Sequence, residues 1–349
     1  MRILLLLLLS LPLISQEHLP VLPGLSGNAL INALDQEYSP DFVFPQGMAR
    51  DTLMARIYNE NGTITGVYSG FQITVDLNED PTQDAFAKGI NTEHTFPRSR
   101  LTDGPSEWDM HHLTPTRVEV NSARGSFPFR ENVDTQTDVW FRNSLELSSI
   151  PSNNIDEYSE FINNVGFEPR EDWKGNVARI YFYMRAVWPS AIDQGYFDEQ
   201  VATLCDWHLQ DPVDLLERER TYRIAQYQGT PNPFVLDCTL PQRSFCANGD
   251  VCTPSALTEI ELIDAWKAPY PNPAADLIIF EFSTDRAAQL ELSLFDSRGR
   301  ELRSHRKQLY SGEQLVQEQL PPVAGMYFYR LRLVRAEGVQ TVSGRVMVR

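Results

Sequence analysis

Apolar residues recur at helical spacing in the middle of the chain. Across residues 176–188 they fall three or four positions apart, which is typical of one buried face of a helix. Pro189 follows and cannot continue a helix, so we predict a core helix that ends there. A second helix is predicted from Asp211 and Pro212 to Gly229, because Asp suits the capping position and Pro suits the first turn.

Alternation of apolar and polar residues replaces this spacing from Pro269 onward. It is clearest in three segments, Leu277–Phe282, Leu290–Phe295 and Met326–Leu333. Short strands at regular intervals predict a small β-sandwich. In the first part of the chain, Gly66–Leu77 also has an extended pattern. We therefore expect an α+β protein in which a mainly helical domain precedes an all-β sandwich.

The N-terminus has the pattern of a secretory signal peptide. Arg2 supplies an early cation, an apolar run extends from Ile3 to Leu9, and cleavage is expected near Ser15. The run is too short to cross a bilayer, and no later segment reaches the roughly 20 apolar residues of a membrane helix. We expect residues 1–15 to be removed and the mature protein to be soluble, exported and free of a transmembrane segment.

The four cysteines also indicate an oxidising compartment. They are Cys205, Cys238, Cys246 and Cys252, and their spacing lacks the paired Cys-x-x-Cys arms of a zinc ribbon. One or two disulfides are expected near the end of the first domain, and the three possible pairings stay open. Residues 239–268 contain turn-prone prolines and glycines, so we interpret them as a linker that the cysteines tie down.

The net charge of −17 argues at first against a nucleic-acid partner, because Lys and Arg drive binding to phosphates. The distribution of charge weakens that objection. Residues 87–130 contain six cations and five anions, so this segment is near +1 within an acidic chain. An enzyme that must release its product can rely on such a local balance.

Residues 91–129 concentrate the polar chemistry of the chain. They hold three of the six histidines and a set of carboxylate and amide side chains, among them Glu93, His94, Asp109, His111, His112 and Asn121. Carboxylate and amide oxygens suit Mg²⁺, and Glu93 and Asn121 supply such oxygens. A neutral His94 with an ordinary pKa of about 6.5 suits a general base. The segment therefore has the composition of a metal-assisted phosphodiesterase.

Several motifs occur here in one order. They are Glu93-His94, Asp109-x-His111-His112-Leu113-x-Pro115, Val120-Asn121-Ser122-x-Arg124-Gly125, Gly166-Phe167-Glu168-Pro169 and Gly175-Asn176-Val177-Ala178-Arg179. In this order they resemble the endonuclease I family of secreted bacterial nucleases, which belongs to the ββα-metal (His-Me finger) nucleases. The likeness extends from Ile31 to Leu236.

The resemblance implies that His94 is the general base and that Glu93 and Asn121 bind one Mg²⁺. Whether Ca²⁺ or Mn²⁺ can replace Mg²⁺ stays open. The resemblance also implies a ββα-metal core, in which strands around Glu93 and Asp109 form a hairpin and Asn121 lies on the following helix.

The remaining polar residues of the segment receive secondary roles. Arg124 is expected to act in catalysis by holding a phosphate. Asp109, His111 and His112 are expected mainly to support the site. Two arginines, Arg98 and Arg100, are alternatives for a group that stabilises the leaving oxygen. Further along the chain, Arg218, Arg220 and Arg223 are interpreted as a solvated helix face, with a DNA-contacting face as the alternative.

The C-terminal module resembles the sorting domain of proteins exported by type IX secretion. Tyr270-Pro271-Asn272-Pro273, Asp296-x-x-Gly299 and Gly325-x-Tyr327 carry this likeness. The module has eleven cations and nine anions from residue 269 on, a net charge of +2 unlike the acidic first part. The likeness implies recognition by the secretion machinery at the outer membrane, with the module usually removed. The alternative is an ordinary sandwich that binds carbohydrate or DNA.

These observations predict four parts: a signal peptide (1–15), a nuclease domain (16–238), a cysteine-containing linker (239–268) and a sorting domain (269–349). We expect a secreted or surface-attached monomer, exported through the periplasm of a Gram-negative bacterium. Its expected activity is metal-dependent hydrolysis of DNA with low sequence specificity, with RNA as a further substrate. A phosphodiesterase of narrower substrate range is a second enzymatic reading. The alternative from another class is a catalytically inactive adhesin or nucleic-acid-binding protein that keeps the nuclease fold.

Overall fold

The structure is a computed structural model. It describes residues 20–60, 62–246, 252, 266–284, 288–296, 298–309, 312–335 and 338–349. The expected signal peptide and much of the expected linker lie outside these residues, so both stay predictions. No helix in the described ranges is long and apolar enough to cross a membrane.

The first part of the chain is mainly helical. Its described residues form ten α-helices: α1 Gly27–Tyr38, α2 Gln46–Thr52, α3 Pro81–Ala87, α4 Val118–Arg124, α5 Lys174–Val187, α6 Gln194–Asp198, α7 Val201–Gln210, α8 Leu215–Gln228, α9 Pro233–Leu236 and α10 Leu240–Ser244.

Three small antiparallel sheets accompany these helices. Their strands are β1 Thr63–Thr65, β2 Gln72–Thr74, β3 Ile90–His94, β4 Leu113–Arg117, β5 Val139–Arg142, β6 Leu145–Leu147, β7 Ser159–Ile162 and β8 Gly166–Glu168. Strands β1 and β2 pair, β3 and β4 pair, and the other four form a sheet in the order β6-β5-β7-β8. The pair β3-β4 leads directly into α4, which gives the expected ββα unit.

The predicted core helix is confirmed as α5. All but one of its residues are buried, including Arg179, which lies among the apolar side chains. Its guanidinium forms an ion pair of 2.6 Å with Glu217 of α8, and both side chains are almost fully buried. A buried charge of this kind requires a partner, so the two helices are fixed to each other at this point.

The second predicted helix is present as α8, but its predicted start is wrong by a few residues. The helix begins after Asp214, whose carboxylate accepts a hydrogen bond of 2.7 Å from the Glu217 backbone N–H. The carboxylate of Asp211 is engaged elsewhere, because it accepts a hydrogen bond of 2.8 Å from the Gly175 N–H at the start of α5. Both Asp211 and Asp214 are of a type that can cap this helix. Asp214 does so because Asp211 is bonded to the start of α5.

The interpretation of the arginines of α8 as a solvated face is wrong for Arg218 and Arg220, whereas Arg223 is partly exposed and forms ion pairs with Glu60 and Glu219. Arg218 and Arg220 are 5% and 9% exposed. Arg220 lies over the rings of Tyr58 and Trp173, at 5.6 and 4.6 Å from their centroids. These side chains pack inside the domain, where their charges do not face solvent.

The extended segment predicted at Gly66–Leu77 is only partly present. Its strand is limited to β2, because the residues before β2 form a tight turn. The Gly66 N–H donates to the Phe71 carbonyl at 2.7 Å, and Gly70 has a φ of 73°. A positive φ of this kind favours glycine.

Two disulfides close the end of the first part, as expected from the redox argument. They join Cys205 to Cys246 and Cys238 to Cys252. The first ties α7 to the residues after α10. The second reaches across to Cys252, in the predicted linker.

The C-terminal region is all β and confirms the sandwich. Its strands are β9 Leu277–Thr284, β10 Ala288–Phe295, β11 Glu301–Leu309, β12 Gly312–Gln319, β13 Gly325–Arg335 and β14 Gly338–Val348. One sheet has the order β11-β10-β13-β14, and β12 pairs with β9 in the other. Along β9, buried and half-buried residues alternate strictly, and the buried ones, such as Phe280, fill the interior between the sheets.

The sandwich contacts the first domain along α8. The rings of Tyr222 and Phe295 lie 4.9 Å apart, and the Arg330 guanidinium lies over both. Arg332 Nη1 forms an ion pair of 2.6 Å with Glu219. An aromatic contact and an ion pair therefore dock the two domains.

Candidate active site in the β3-β4 hairpin

The hairpin places Glu93 and His94 at the end of β3. Glu93 is opposite Thr114 and His94 is opposite Leu113 in the antiparallel register. The pairing continues one residue further, where the Thr95 N–H donates to the His112 carbonyl at 2.9 Å. Neighbouring strand residues point to opposite faces, so the carboxylate and the imidazole approach the site from different sides.

Glu93 is a buried carboxylate, and one of its oxygens makes no hydrogen bond to a described residue. The residue is 3% exposed, and its Oε1 has no hydrogen-bond partner. The nearest cation is Arg124, whose Nε lies 3.3 Å from Oε1. This distance makes an ion pair, but its geometry is not that of a hydrogen bond. Burial raises the pKa of Glu93 to about 7, although the charge of Arg124 acts in the opposite direction.

His94 is held as a neutral imidazole. Burial is the largest cause that lowers its pKa to about 3, and the neighbouring His112 and Arg98 act in the same direction. The backbone of Glu107 acts in the opposite direction on this pKa, and the ring Nε2 is buried without a hydrogen bond to any described residue. Trp108 packs edge-on against it at a centroid distance of 5.3 Å. The packed ring thus keeps its Nε2 available to accept a proton.

Asn121 reaches the same strand from α4. Its Nδ2 donates a hydrogen bond of 3.3 Å to the Thr92 carbonyl, one residue before Glu93. This contact uses the amide nitrogen and leaves the amide oxygen uncommitted. An amide oxygen beside a carboxylate oxygen without a hydrogen bond is a donor set that fits Mg²⁺. No group of three or more His, Cys, Asp or Glu side chains is placed to hold a metal within the ranges that the structure covers.

Arg124 does not occupy the place expected of a phosphate-binding side chain. It is 0% exposed and lies 4.6 Å from the centroid of the Phe129 ring. Its terminal nitrogens donate to oxygens of the protein: Nη2 to the Thr95 carbonyl (2.7 Å) and the Tyr181 hydroxyl (3.1 Å), and Nη1 to the Gly125 carbonyl (2.9 Å). The guanidinium is therefore committed to Glu93 and to the backbone around the hairpin, and a phosphate cannot reach it in this arrangement.

The sequence comparison agrees with this geometry. The family model described as Endonuclease I matches residues 28–238, more than half of the chain. The chain belongs to the endonuclease I family. Residues 268–343 match the model of the secretion system C-terminal sorting domain.

Curated relatives of the endonuclease I domain are extracellular enzymes. An extracellular ribonuclease of Bacillus subtilis is 35% identical over 164 residues, 42% of this chain and 50% of that protein. An extracellular ribonuclease of Bacillus amyloliquefaciens is 32% identical over 165 residues, again 42% and 50%. An extracellular deoxyribonuclease of Aeromonas hydrophila is 28% identical over 135 residues, 37% and 49%. The chain spans about half the length of the curated relatives it matches.

Within the endonuclease I domain, Asp109 connects the hairpin to two helices. It is 0% exposed, and its Oδ2 accepts hydrogen bonds from the Tyr183 hydroxyl (2.7 Å) and the Trp188 indole N–H (2.8 Å). Its Oδ1 accepts from the Gln228 amide of α8 at 2.8 Å. Asp109 itself lies four residues before β4, in the turn that leads to it, so the predicted second strand begins later than expected.

His111 and His112 have backbone partners, as expected of supporting residues. His111 Nε2 lies 2.9 Å from the Thr230 carbonyl, and His112 Nε2 lies 2.8 Å from the Ser106 carbonyl. Both rings are buried, and burial lowers the pKa of each. Of the two, only His112 packs against His94, with 5.5 Å between the ring centroids.

The structure separates the two arginines proposed for the leaving group. Arg100 forms an ion pair with Asp193 and lies over the Tyr196 ring, so it is directed toward α6. Arg98 is paired with Glu107 at 2.7 Å, and its side chain is 61% exposed. It is also close enough to His94 to lower the pKa of the imidazole. Of these two arginines, Arg98 is the one that borders the site.

Three residues of the site were not predicted from the sequence. Trp108 packs on His94, Tyr181 binds Arg124, and Arg50 of α2 contacts β3. Trp108 lies inside the motif-rich segment and could have been included. Tyr181 lies within the predicted core helix of residues 176–188, and Arg50 is 44 positions before His94, so no local pattern connects either of them with the site.

Proposed function

We propose that this protein is a secreted, Mg²⁺-dependent endonuclease that hydrolyses phosphodiester bonds in DNA and RNA with low sequence specificity. The observation that carries this proposal is the pair of buried atoms at the end of β3 that lack a hydrogen bond among the described residues, Glu93 Oε1, which faces Arg124 at ion-pair distance, and His94 Nε2. Buried polar atoms normally have partners, so two such atoms on adjacent residues are typical of a functional site. The names of the curated relatives, which include a ribonuclease and a deoxyribonuclease, support both substrates.

His94 acts as the general base. Burial keeps its ring neutral near pH 7, and Nε2, which makes no hydrogen bond to a described residue, accepts a proton from the attacking water. A base in hydrogen-bond reach of the nucleophile contributes about 10²–10⁴-fold to a rate. Packing of Trp108 and His112 around the ring fixes its orientation.

Glu93 and Asn121 would hold the metal through the carboxylate oxygen that faces Arg124 without a hydrogen bond and through the amide oxygen. A bound Mg²⁺ would polarise the scissile phosphate and stabilise the developing charge on the leaving oxygen. Two protein ligands are few, which suits an ion that usually keeps several waters. Ca²⁺ or Mn²⁺ could take the same oxygens.

The arginines divide the remaining work. Arg98, exposed beside His94, binds the phosphate and stabilises the leaving group. Arg124 is a positioning residue: it compensates the Glu93 charge and ties Thr95 and Gly125 together beneath the site. A phosphate contact such as that of Arg98 binds the nucleic-acid backbone, which carries no sequence information. Such contacts are consistent with low sequence specificity.

The C-terminal module directs the enzyme out of the cell. Its match to a sorting domain supports recognition by the secretion machinery, and we propose a type IX route through the periplasm of a Gram-negative bacterium. The enzyme would then be released or held at the cell surface. We expect it to be monomeric.

Digestion of plasmid DNA and of RNA tests this function. The full chain should cleave both with Mg²⁺ present, lose cleavage in EDTA and regain it when Mg²⁺ is added in excess. Parallel additions of Ca²⁺ and Mn²⁺ identify the ions that the site accepts. Binding of DNA without cleavage under every ion would contradict the proposal and favour the inactive adhesin or nucleic-acid-binding protein.

A further inference from the structure

Arg50 of α2 is an arginine without an anionic partner beside the catalytic strand. Its Nε lies 3.4 Å from Thr92 Oγ1, and its Nη2 lies 3.5 Å from Asn91 Oδ1. Both contacts are at the long limit for hydrogen bonds, and both acceptors are neutral. The other nitrogen, Nη1, makes no hydrogen bond to any residue that the structure describes and is not buried.

The other arginines around the hairpin differ in this respect. Arg98 is paired with Glu107, Arg100 with Asp193 and Arg124 with Glu93, and Arg117 contacts both Glu119 and Glu146. Arg50 makes no ion pair with any carboxylate of the described ranges. A half-buried guanidinium with five donors and two weak neutral contacts has most of its hydrogen-bonding capacity unused.

The contact of Arg50 with Thr92 of β3 relates this arginine to the proposed general base. Side chains of residues two apart on a strand share a face, so Thr92 and His94 lie on the same face of β3. Their separation along the strand is about 6–7 Å. This is the scale of one nucleotide step along a nucleic-acid chain.

We propose that Arg50 forms a second phosphate subsite and binds the phosphate next to the scissile one in the nucleic-acid strand. This inference rests on the proposed function and adds a substrate-positioning contact to it. A guanidinium offers two parallel N–H donors to a phosphate, which gives both attraction and orientation. The subsite would set the register of the strand, so that the scissile phosphate lies between His94 and the oxygens of Glu93 and Asn121.

Salt-dependent DNA binding in EDTA tests the subsite without cleavage. We would compare the full chain with its Arg50→Gln, Arg50→Lys and Arg56→Gln variants on one duplex. Removal of one phosphate contact lowers the slope of log Kobs against log salt by about 0.9. Arg50→Gln should show this loss and bind more weakly, whereas Arg50→Lys keeps the charge and should keep the slope. Arg56 is the matched control, because it is an exposed arginine on the turn after α2.

Equal slopes and affinities for Arg50→Gln and Arg56→Gln would overturn the inference. Cleavage assays with Mg²⁺ should show a higher KM and a nearly unchanged kcat for Arg50→Gln, because a contact shared by ground and transition state affects KM alone. If the parent cleaves DNA normally and the slopes are equal, the subsite is wrong while the proposed function stands. If the parent neither binds nor cleaves, the proposed function itself fails.

Chemical protection provides a measurement on the unmodified protein. An arginine-selective dicarbonyl reagent, followed by peptide mass mapping, reports the accessibility of each guanidinium. Duplex DNA in EDTA should protect Arg50 from modification and leave Arg56 reactive. Equal modification of Arg50 with and without DNA would contradict the subsite even if the Arg50→Gln variant does not fold.

Discussion

In the β3-β4 hairpin, a carboxylate and a guanidinium are buried side by side, whereas the C-terminal sandwich fills its interior with aliphatic and aromatic side chains. Glu93 and Arg124 are 3% and 0% exposed, and each retains an atom without a hydrogen bond. In the sandwich, Phe280 and Leu331 are equally buried and carry no polar atom on their side chains. The hairpin buries a charged pair beside the proposed site, whereas the charged residue Glu318 of the sandwich, which is also buried, pairs with the partly exposed His305.

The largest expected loss of stability follows removal of the buried cation. Arg124→Met would remove the cation that lowers the pKa of Glu93, so this buried carboxyl would be protonated at neutral pH, and it would also remove the bonds to the Thr95 and Gly125 carbonyls and to the Tyr181 hydroxyl. We expect a loss of about 3–5 kcal/mol in the free energy of unfolding. Chemical denaturation followed by the fluorescence of the nuclease domain measures this change. A loss below about 1 kcal/mol would mean that the pair does not hold the hairpin together.

A core substitution in the sandwich should lower the free energy of unfolding by a similar amount but leave the cleavage rate unchanged. Phe280 is 0% exposed and packs 4.8 Å from the Tyr329 ring, so Phe280→Ala should destabilise the sandwich by about 3–5 kcal/mol. Calorimetry should show an earlier transition for the sandwich, and the cleavage rate at lower temperature should match the parent. A parallel fall in cleavage would show that the nuclease domain depends on the folded sandwich.

Arg98 provides the reverse case within the hairpin region. Its ion pair with Glu107 is exposed on one side, so Arg98→Met should cost less than about 1 kcal/mol of stability. Cleavage should nevertheless fall by about 10–100-fold, because a phosphate contact of about 1.4–2.8 kcal/mol in the transition state is lost. Unchanged cleavage would contradict the role of Arg98 in stabilising the leaving group and would leave Arg100 as the alternative for that role.

The smallest effect concerns the contact between the two regions. Arg332 joins Glu219 of α8 to the sandwich, and both side chains are partly exposed. In a double-mutant cycle, Glu219→Gln and Arg332→Gln should show a coupling of about 0.5–1 kcal/mol in the stability of the full chain. A coupling near zero would mean that the aromatic contact of Tyr222 with Phe295 docks the domains by itself.

The same contrast explains what the sequence could predict. In the sandwich, alternation in Leu290–Phe295 was enough to place a strand, because each side chain there only has to face the interior or solvent. In the first domain, helical spacing placed α5, but the start of α8 depended on which of two Asp residues was engaged by α5. The prediction of one extended segment over Gly66–Leu77 was wrong in part, because a turn at Gly70 precedes the strand β2.

The site itself was predictable only where its residues are close in sequence. Glu93, His94 and Asn121 lie within one motif-rich segment, and the structure brings them to one hairpin and its following helix. Arg124 belongs to the same motif, yet its burial could not be inferred, since Tyr181 and Phe129 that enclose it lie on other elements. The contact of Arg50 with Thr92 depends on how α2 lies against β3, and no sequence pattern predicts that arrangement.

The measurement that decides whether the hairpin is a hydrolytic centre is the single-turnover cleavage rate of the His94→Ala variant at saturating Mg²⁺. The structure predicts a rate lower than that of the parent by about 100-fold or more, because the proton acceptor Nε2 is lost. The variant also loses the ring contacts with Trp108 and His112, so the two rates are compared under conditions where chemical denaturation shows both proteins to be folded. Added imidazole should restore part of the rate. A His94→Ala variant that cleaves DNA as fast as the parent would contradict the mechanism.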